Sequence, residues 1–99
     1  MKNKIITICG SLRFQEEIIN TAIKLELEGY TVLIPIIPLN NKMSLTNKEK
    51  EILANIHKER IKISDAIYVI NVNDYIGSAT KSEIAYAKEH NKEIIYYQK

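Results

Sequence analysis

Cysteine occurs once in this chain, at position 9. A lone cysteine cannot form an internal disulfide, and Cys9 has no companions at metal-ligand spacing, so neither a disulfide scaffold nor a bound metal is expected. Basic character is equally sparse. The 14 Lys and Arg residues are interleaved with 12 Asp and Glu residues, for a net charge of +2. Without a basic run or stripe, a nucleic-acid polymer is not an expected partner, and the lysines fall to solvent-facing helix surfaces. No apolar run approaches the roughly 20 residues of a membrane span. Met1-Lys2-Asn3-Lys4 leads straight into a short apolar segment rather than a signal-peptide core. A cytoplasmic protein with no membrane association is the expectation. Glycine is also scarce, at three residues. Neither a Walker loop nor a G-x-G-x-x-G fingerprint can be found, which excludes P-loop ATP hydrolysis and dinucleotide binding. No repeat or low-complexity linker interrupts the chain, and no cofactor is implied.

What remains is an ordinary globular composition, 45% hydrophobic and 26% charged over 99 residues. That length holds one compact domain, 1–99. Lys4 to Cys9 is β-branched and almost wholly apolar, the pattern of a strand covered on both faces. A helix is expected from about Arg13 to Glu28. Phe14, Ile18, Ala22 and Leu25 would be its apolar row, widened by Ile19 and Ile23, with Gly29 as its stop. Thr31 to Ile34 is a second strand, ended by Pro35. Ile36 to Leu45 reads as a loop and a candidate lid, with Ile36, Ile37, Leu39 and Met43 packing against a ligand or a second subunit.

Thr46-Asn47-Lys48-Glu49 is a capping box that starts a helix to about Ile63. Ile52, Ile56 and Ile63 form one apolar row along it and Leu53, His57 and Ile61 the neighbouring row, so His57 is expected beside the buried face rather than opposite it. Ser64-Asp65 turns into a third strand, Ala66 to Val72. A third helix begins near Ser78 to Thr80 and ends around His90-Asn91, with Asn91 as its C-cap, and Glu93 to Tyr97 is the last strand. The resulting β-α-β-α-β-α-β order implies a four-stranded parallel sheet, ordered 2-1-3-4, with helices on both faces. Its switch point brings Cys9 to Arg13 beside Asn71 to Glu83, at the mouth where ligands bind in such sheets.

Two loops meet there. Gly10-Ser11-Leu12-Arg13 has the makings of a phosphate cradle: a glycine for close backbone approach, helix-opening amides, a hydroxyl and a guanidinium. It reads equally as a plain strand-to-helix turn with Ser11 as N-cap. The second loop, Asn73 to Glu83, holds one glycine, Gly77, and Ser78 and Thr80 precede the carboxylate of Glu83. Glu83 fits a nucleophile. Thr80-x-x-Glu83 is also a capping box, and spacing alone favours the cap.

Together, Cys9-Gly10-Ser11-Leu12-Arg13 after a first strand, Ser64-Asp65 before an apolar strand, and a glycine turn leading to Glu83-Ile84-Ala85-Tyr86-Ala87 resemble the nucleoside 2-deoxyribosyltransferase superfamily. The G-S-x-R loop is most similar to its 2′-deoxynucleoside 5′-monophosphate N-glycosidase branch. The resemblance implies a flavodoxin-like three-layer sandwich and cleavage or transfer of an N-glycosidic bond by a glutamate nucleophile, here Glu83. It assigns the 5′-phosphate to Gly10, Ser11, Leu12 and Arg13, and further ligand contact to Gly77 and Ser78. It also implies a homodimer whose partner helps to close the site.

The family's aspartate for base protonation has no counterpart, and His57 lies near that position as the candidate acid. Partial burial with a bond to a backbone carbonyl is the competing role for His57. Cys9, Asn71, Asn73, Asp74 and Tyr75 complete the candidate sugar and base contacts, with turn chemistry as the alternative for Asp74. Ile84-Ala85 stands where the family usually has leucine-glycine. That departure keeps open a non-catalytic module binding a nucleotide-derived ligand, and an interaction domain with no small ligand.

Overall fold

The structure, a computed structural model, describes residues 4–37 and 44–98. Its elements are β1 (Ile5–Cys9), α1 (Gln15–Leu27), β2 (Thr31–Leu33), α2 (Asn47–Ile63), β3 (Ala66–Val69), α3 (Ser78–Glu89) and β4 (Glu93–Tyr96). Short 3₁₀ turns lie at Leu12–Phe14 and Val72–Asp74. All strand pairs are parallel and the sheet order is β2-β1-β3-β4, as the connectivity required. Pro38, Leu39 and Met43 of the expected lid, and Met1, Lys2 and Asn3, lie outside the described residues.

Both central strands are buried on both sides, and their period-two alternation divides the core. Ile6 and Ile8 face α1, where Ile18 and Leu25 meet them together with Ala66 and Ile70. Cys9, Ile67 and Val69 face the opposite layer, formed by Ile61 of α2 with Ile84 and Ala87 of α3. Helices therefore cover both faces of the sheet.

Two helix ends use the same device. Gly29 has φ 103°, and the amides of Gly29 and Tyr30 bond the carbonyls of Glu26 and Leu25, closing α1 in a Schellman motif. Asn91, at φ 57°, closes α3 in the same way through Asn91 to Lys88 and Lys92 to Ala87. The α2 capping box forms in full: Thr46 Oγ1 accepts from the Glu49 amide at 3.1 Å, and Glu49 accepts from the Thr46 amide at 2.9 Å.

Several boundaries move. The expected start of the first helix at Arg13 is a 3₁₀ turn, and the α-helix proper begins at Gln15. β3 ends at Val69 rather than Val72, because the backbone enters the 3₁₀ turn, where Asn73 and Asp74 adopt φ of 54° and 62°. Ile19 and Ile23, expected to widen the α1 core face, are exposed instead. The sheet is reached only by the Ile18–Leu25 side of that helix. In α2 the Leu53-His57-Ile61 row faces inward, while Ile52, Ile56 and Ile63 face solvent. Asp65 takes a structural role at the other end of the sheet, where its carboxylate accepts from the Ile5 amide at 2.8 Å. Among the described residues, no helix is long and apolar enough to cross a membrane.

Candidate functional site

A cavity of about 720 Å³ opens beyond the carboxyl ends of β1 and β3, within the usual size of small-molecule sites, about 300–1,000 Å³. Gly10, Ser11 and Leu12 form one wall, and Tyr75, Gly77, Ser78 and Glu83 another. His57 and Arg60 of α2 contribute a third. The two loops that the sheet order placed together do meet around one space.

Gly10 is required by packing. A β-carbon there would lie 3.0 Å from Cβ of Ile70, just past the end of β3, tighter than ordinary contact, so the two strand ends would have to give by a few tenths of an ångström. Ser11 is the N-cap of the 3₁₀ turn: its hydroxyl accepts from the Arg13 amide at 3.3 Å, and its carbonyl accepts from the Phe14 amide at 2.9 Å. Those two amides, expected to serve an incoming anion, are already engaged. Arg13 does not line the cavity. Its guanidinium lies over the Tyr75 ring at 4.0 Å, and the edge of Phe14 meets the same ring. The turn is thus a local cap with an aromatic clamp, and Ser11 alone of its polar side chains opens on the cavity.

Glu83 lies in the second turn of α3, not the first. The helix starts at Ser78 with Gly77 as N-cap and no side-chain cap bond, so the Thr80–Glu83 box favoured by spacing does not form. Its carboxylate reaches back over the end of β1 instead. There the ligating atoms of Cys9, His57 and Glu83 lie within 4.8 Å of one another. Burial is the main cause that raises the Glu83 pKa to about 7, opposed by a hydrogen bond from Cys9 and by the nearby charge of Lys58. Cys9 is fully buried. Burial, then the Glu83 charge and its hydrogen bond, hold the thiol well above its ordinary range.

His57 is also buried, on the inner row of α2. Its Nδ1 lies 3.1 Å from Arg60 Nη1, and its Nε2 lies 3.7 Å from Cys9 Sγ. Arginine has no acceptor, so Nδ1 accepts and the single ring proton resides on Nε2. Burial first, and the Arg60 charge second, lower the His57 pKa to about 4 despite a hydrogen bond to the Ile8 carbonyl. The ring is therefore neutral near pH 7. The Cys-His-Glu spacing would suit one cation, but the ring nitrogen that faces Cys9 and Glu83 carries the proton, which sets this cluster against metal binding.

Asn71 is turned away from the cavity. Its side chain bonds the backbone of Gln98, and the Asn73 amide bonds the Gln98 side chain at 2.8 Å. Asp74 faces a separate depression beside β4. None of the three lines the main cavity. Cys9 lies beneath Glu83 and is not a wall residue. Conversely, Lys50, Leu53, Ala54 and Arg60 line the cavity and were not singled out in the sequence. Their signal was present: all lie three, four or seven residues from His57, on the same helical face.

No protein-family model matches the sequence, and no curated protein matches it. Several solved structures share the fold. A 2-desoxiribosyltransferase from Leishmania mexicana superposes with a TM-score of 0.69 at 19% identity, over 95% of this chain and 63% of that one. The chain thus spans less than two thirds of the length of that protein. The CMP N-glycosidase BcmB of Clostridium botulinum superposes with a TM-score of 0.63 at 23% identity, over 94% of this chain and 70% of that one.

Proposed function

We propose that this chain cleaves or transfers the N-glycosidic bond of a (deoxy)nucleoside 5′-monophosphate, with Glu83 as nucleophile. The observation that carries this reading is the position of Glu83: a carboxylate free of any helix-capping role, at the wall of a cavity shared with the Gly10–Ser11 loop. The names of two proteins with the same fold, a desoxiribosyltransferase and a CMP N-glycosidase, support the choice of bond. Lys50 and Arg60, the cations among the described wall residues, suit an anionic substrate.

In this mechanism ionised Glu83 attacks the anomeric carbon, the bond to the base breaks, and its electrons leave on the base nitrogen. A glycosyl ester on Glu83 results, and water or a second base releases the sugar phosphate. The same carboxylate stabilises the developing oxocarbenium charge. His57 is neutral and its proton faces Cys9, so the departing base takes its proton from water at the mouth. The 5′-phosphate is assigned to Ser11 and to Arg13, which swings off Tyr75 to reach it. The chain acts as a homodimer, its exposed row Ile52, Ile56 and Ile63 offering an apolar surface on the helix that walls the cavity. A monomer in sedimentation at micromolar concentration overturns that last assignment.

Incubation with the four deoxynucleoside monophosphates, and with CMP, tests the proposal by release of free base. Release abolished by Glu83→Ala and retained in a distant surface variant is the expected result. The second reading, a non-catalytic module for a nucleotide-derived ligand, is favoured by the neutral state of His57, which removes the imidazolium as an acid for the base. Tight binding without base release, weakened by Arg13→Ala, would establish the module instead.

A further inference from the structure

Among the described residues, four side chains on three elements form a continuous line, buried in its middle and half-buried at its ends: Arg60 and His57 on α2, Cys9 at the end of β1, and Glu83 on α3. Its links are Arg60 Nη1 to His57 Nδ1 at 3.1 Å and His57 Nε2 to Cys9 Sγ at 3.7 Å, and a Glu83 carboxylate oxygen lies within 4.8 Å of the Cys9 sulfur. Its polarity is fixed at one end. A guanidinium only donates, so His57 Nδ1 must accept and Nε2 must carry the proton. That N–H faces the cysteine sulfur. Cys9 therefore faces a donor on the histidine side and cannot give its own proton there. The Glu83 carboxylate is an acceptor within 4.8 Å of it.

We propose that Arg60, His57 and Cys9 form a one-way hydrogen-bond chain that directs the Cys9 thiol proton onto one carboxylate oxygen of Glu83, leaving the other for the cavity. The three are positioning residues, and the inference rests on the reading of Glu83 as nucleophile only for its catalytic consequence. A carboxylate held by one fixed donor has two inequivalent oxygens and a restricted rotamer, which is the preorganisation an attacking group needs. The donor also favours the ionised form against the burial that opposes it. The charged and titratable groups around Glu83 among the described residues are Cys9 from β1, His57 and Lys58 from α2 with Arg60 behind His57, and Lys50 of α2 and Tyr75 on the walls of the same cavity. Lys58 acts through space on the carboxylate and takes no place in the chain.

The test needs no substrate. Carboxyl-¹³C glutamate labelling of the full chain, with Glu83 assigned by its disappearance in Glu83→Gln, follows the titration of this group directly. Long-range ¹H–¹⁵N spectra report the His57 tautomer. Wild-type protein is expected to show the Nε2–H form. The Glu83 midpoint rises in Cys9→Ala and stays near the wild-type value in Cys9→Ser, whose hydroxyl donates in place of the thiol. It also rises in Arg60→Met, and the two effects are coupled: Arg60→Met moves the midpoint less in a Cys9→Ala background than alone.

An Nδ1–H tautomer in wild-type protein, an unchanged or lowered midpoint in Cys9→Ala, or additive effects in the double variant would overturn the chain. The wild-type tautomer decides the question even if a variant does not fold. In turnover, Cys9→Ala is expected to lower kcat with KM unchanged and to move the acid limb to higher pH. At a fixed pH below the midpoint, the ionised fraction falls roughly tenfold for every pH unit by which the midpoint rises. Absence of base release with the expected titration behaviour intact would defeat the proposed reaction and leave the chain standing.

Discussion

Asn71 and Gln98 exchange two hydrogen bonds: the Asn71 side-chain amide donates to the Gln98 carbonyl at 2.8 Å, and the Gln98 amide donates to Asn71 Oδ1 at 2.7 Å. This pair ties the end of the chain to the segment leaving β3 and extends the sheet edge where backbone pairing stops. Asn71 is buried and Gln98 exposed, so truncation to alanine removes both bonds and leaves the Gln98 groups to water. Asn71→Ala is expected to cost about 1–3 kcal/mol, read by urea unfolding. The binding affinity of the folded fraction for deoxynucleoside monophosphates is expected to be unchanged, because the side chain does not face the cavity.

Glu83 and His57 give the stability a defined pH dependence. The folded Glu83 carboxyl titrates at about 7 against an ordinary value of 4.5, so its stabilising effect is complete below 4.5 and is lost as pH rises through 7. His57 has the opposite sign. It stays neutral down to about 4 while the unfolded ring charges at 6.5, so stability is lost as pH falls from 6.5 to 4. The two slopes oppose each other between 4.5 and 6.5, and above 6.5 Glu83 acts alone. Thermal scans are expected to show Tm falling from pH 6.5 to 8 in wild-type protein and much less in Glu83→Gln. A difference of about 1 kcal/mol corresponds to roughly 4–8 °C in a domain of this size.

The same titration sets the acid limb of turnover. Attack requires the ionised carboxylate, so kcat/KM for base release is expected to rise with pH through about 7 and level off above it. Glu83→Gln, which keeps the shape and removes the charge, is expected to lower kcat by about 10³-fold or more, as when a nucleophile is removed. A profile that falls through the same range would point to a protonated Glu83 as the working form and exclude the attack.

Gly10 tests the close approach of the central strands. A β-carbon there meets Ile70 Cβ at 3.0 Å and Cγ1 at 3.4 Å, in a position with little freedom to move. Gly10→Ala is expected to destabilise by about 1–3 kcal/mol through overpacking. Ile70→Val retains both of the crowding atom positions, so the double variant is expected to show no rescue. Chemical denaturation of the two single variants and the double variant checks this.

The strand pattern, the α2 capping box and the left-handed ends at Gly29 and Asn91 were legible because each depends on residues close in sequence. Sheet order followed from them, since one helix between successive strands permits few parallel arrangements. That order was enough to bring Gly10, Ser11 and Glu83 to one mouth. Spacing could not choose between the two roles of Glu83. A capping box is a statement about where a helix begins, and α3 begins at Ser78, too early for Thr80 to be its N-cap. Nor could spacing choose which isoleucine row of α2 meets the sheet, because both rows have the same period. Packing of Ile61 against β1 and β3 decided it, and with it the burial of His57. Arg13 stacked on Tyr75, Asn71 held by Gln98, and Arg60 reaching His57 all involve partners chosen in three dimensions. The chain by itself therefore determined the elements, their order and the place of the cleft. Only tertiary packing decided which polar groups face that cleft, because desolvation and long-range hydrogen bonding depend on neighbours that local sequence does not specify.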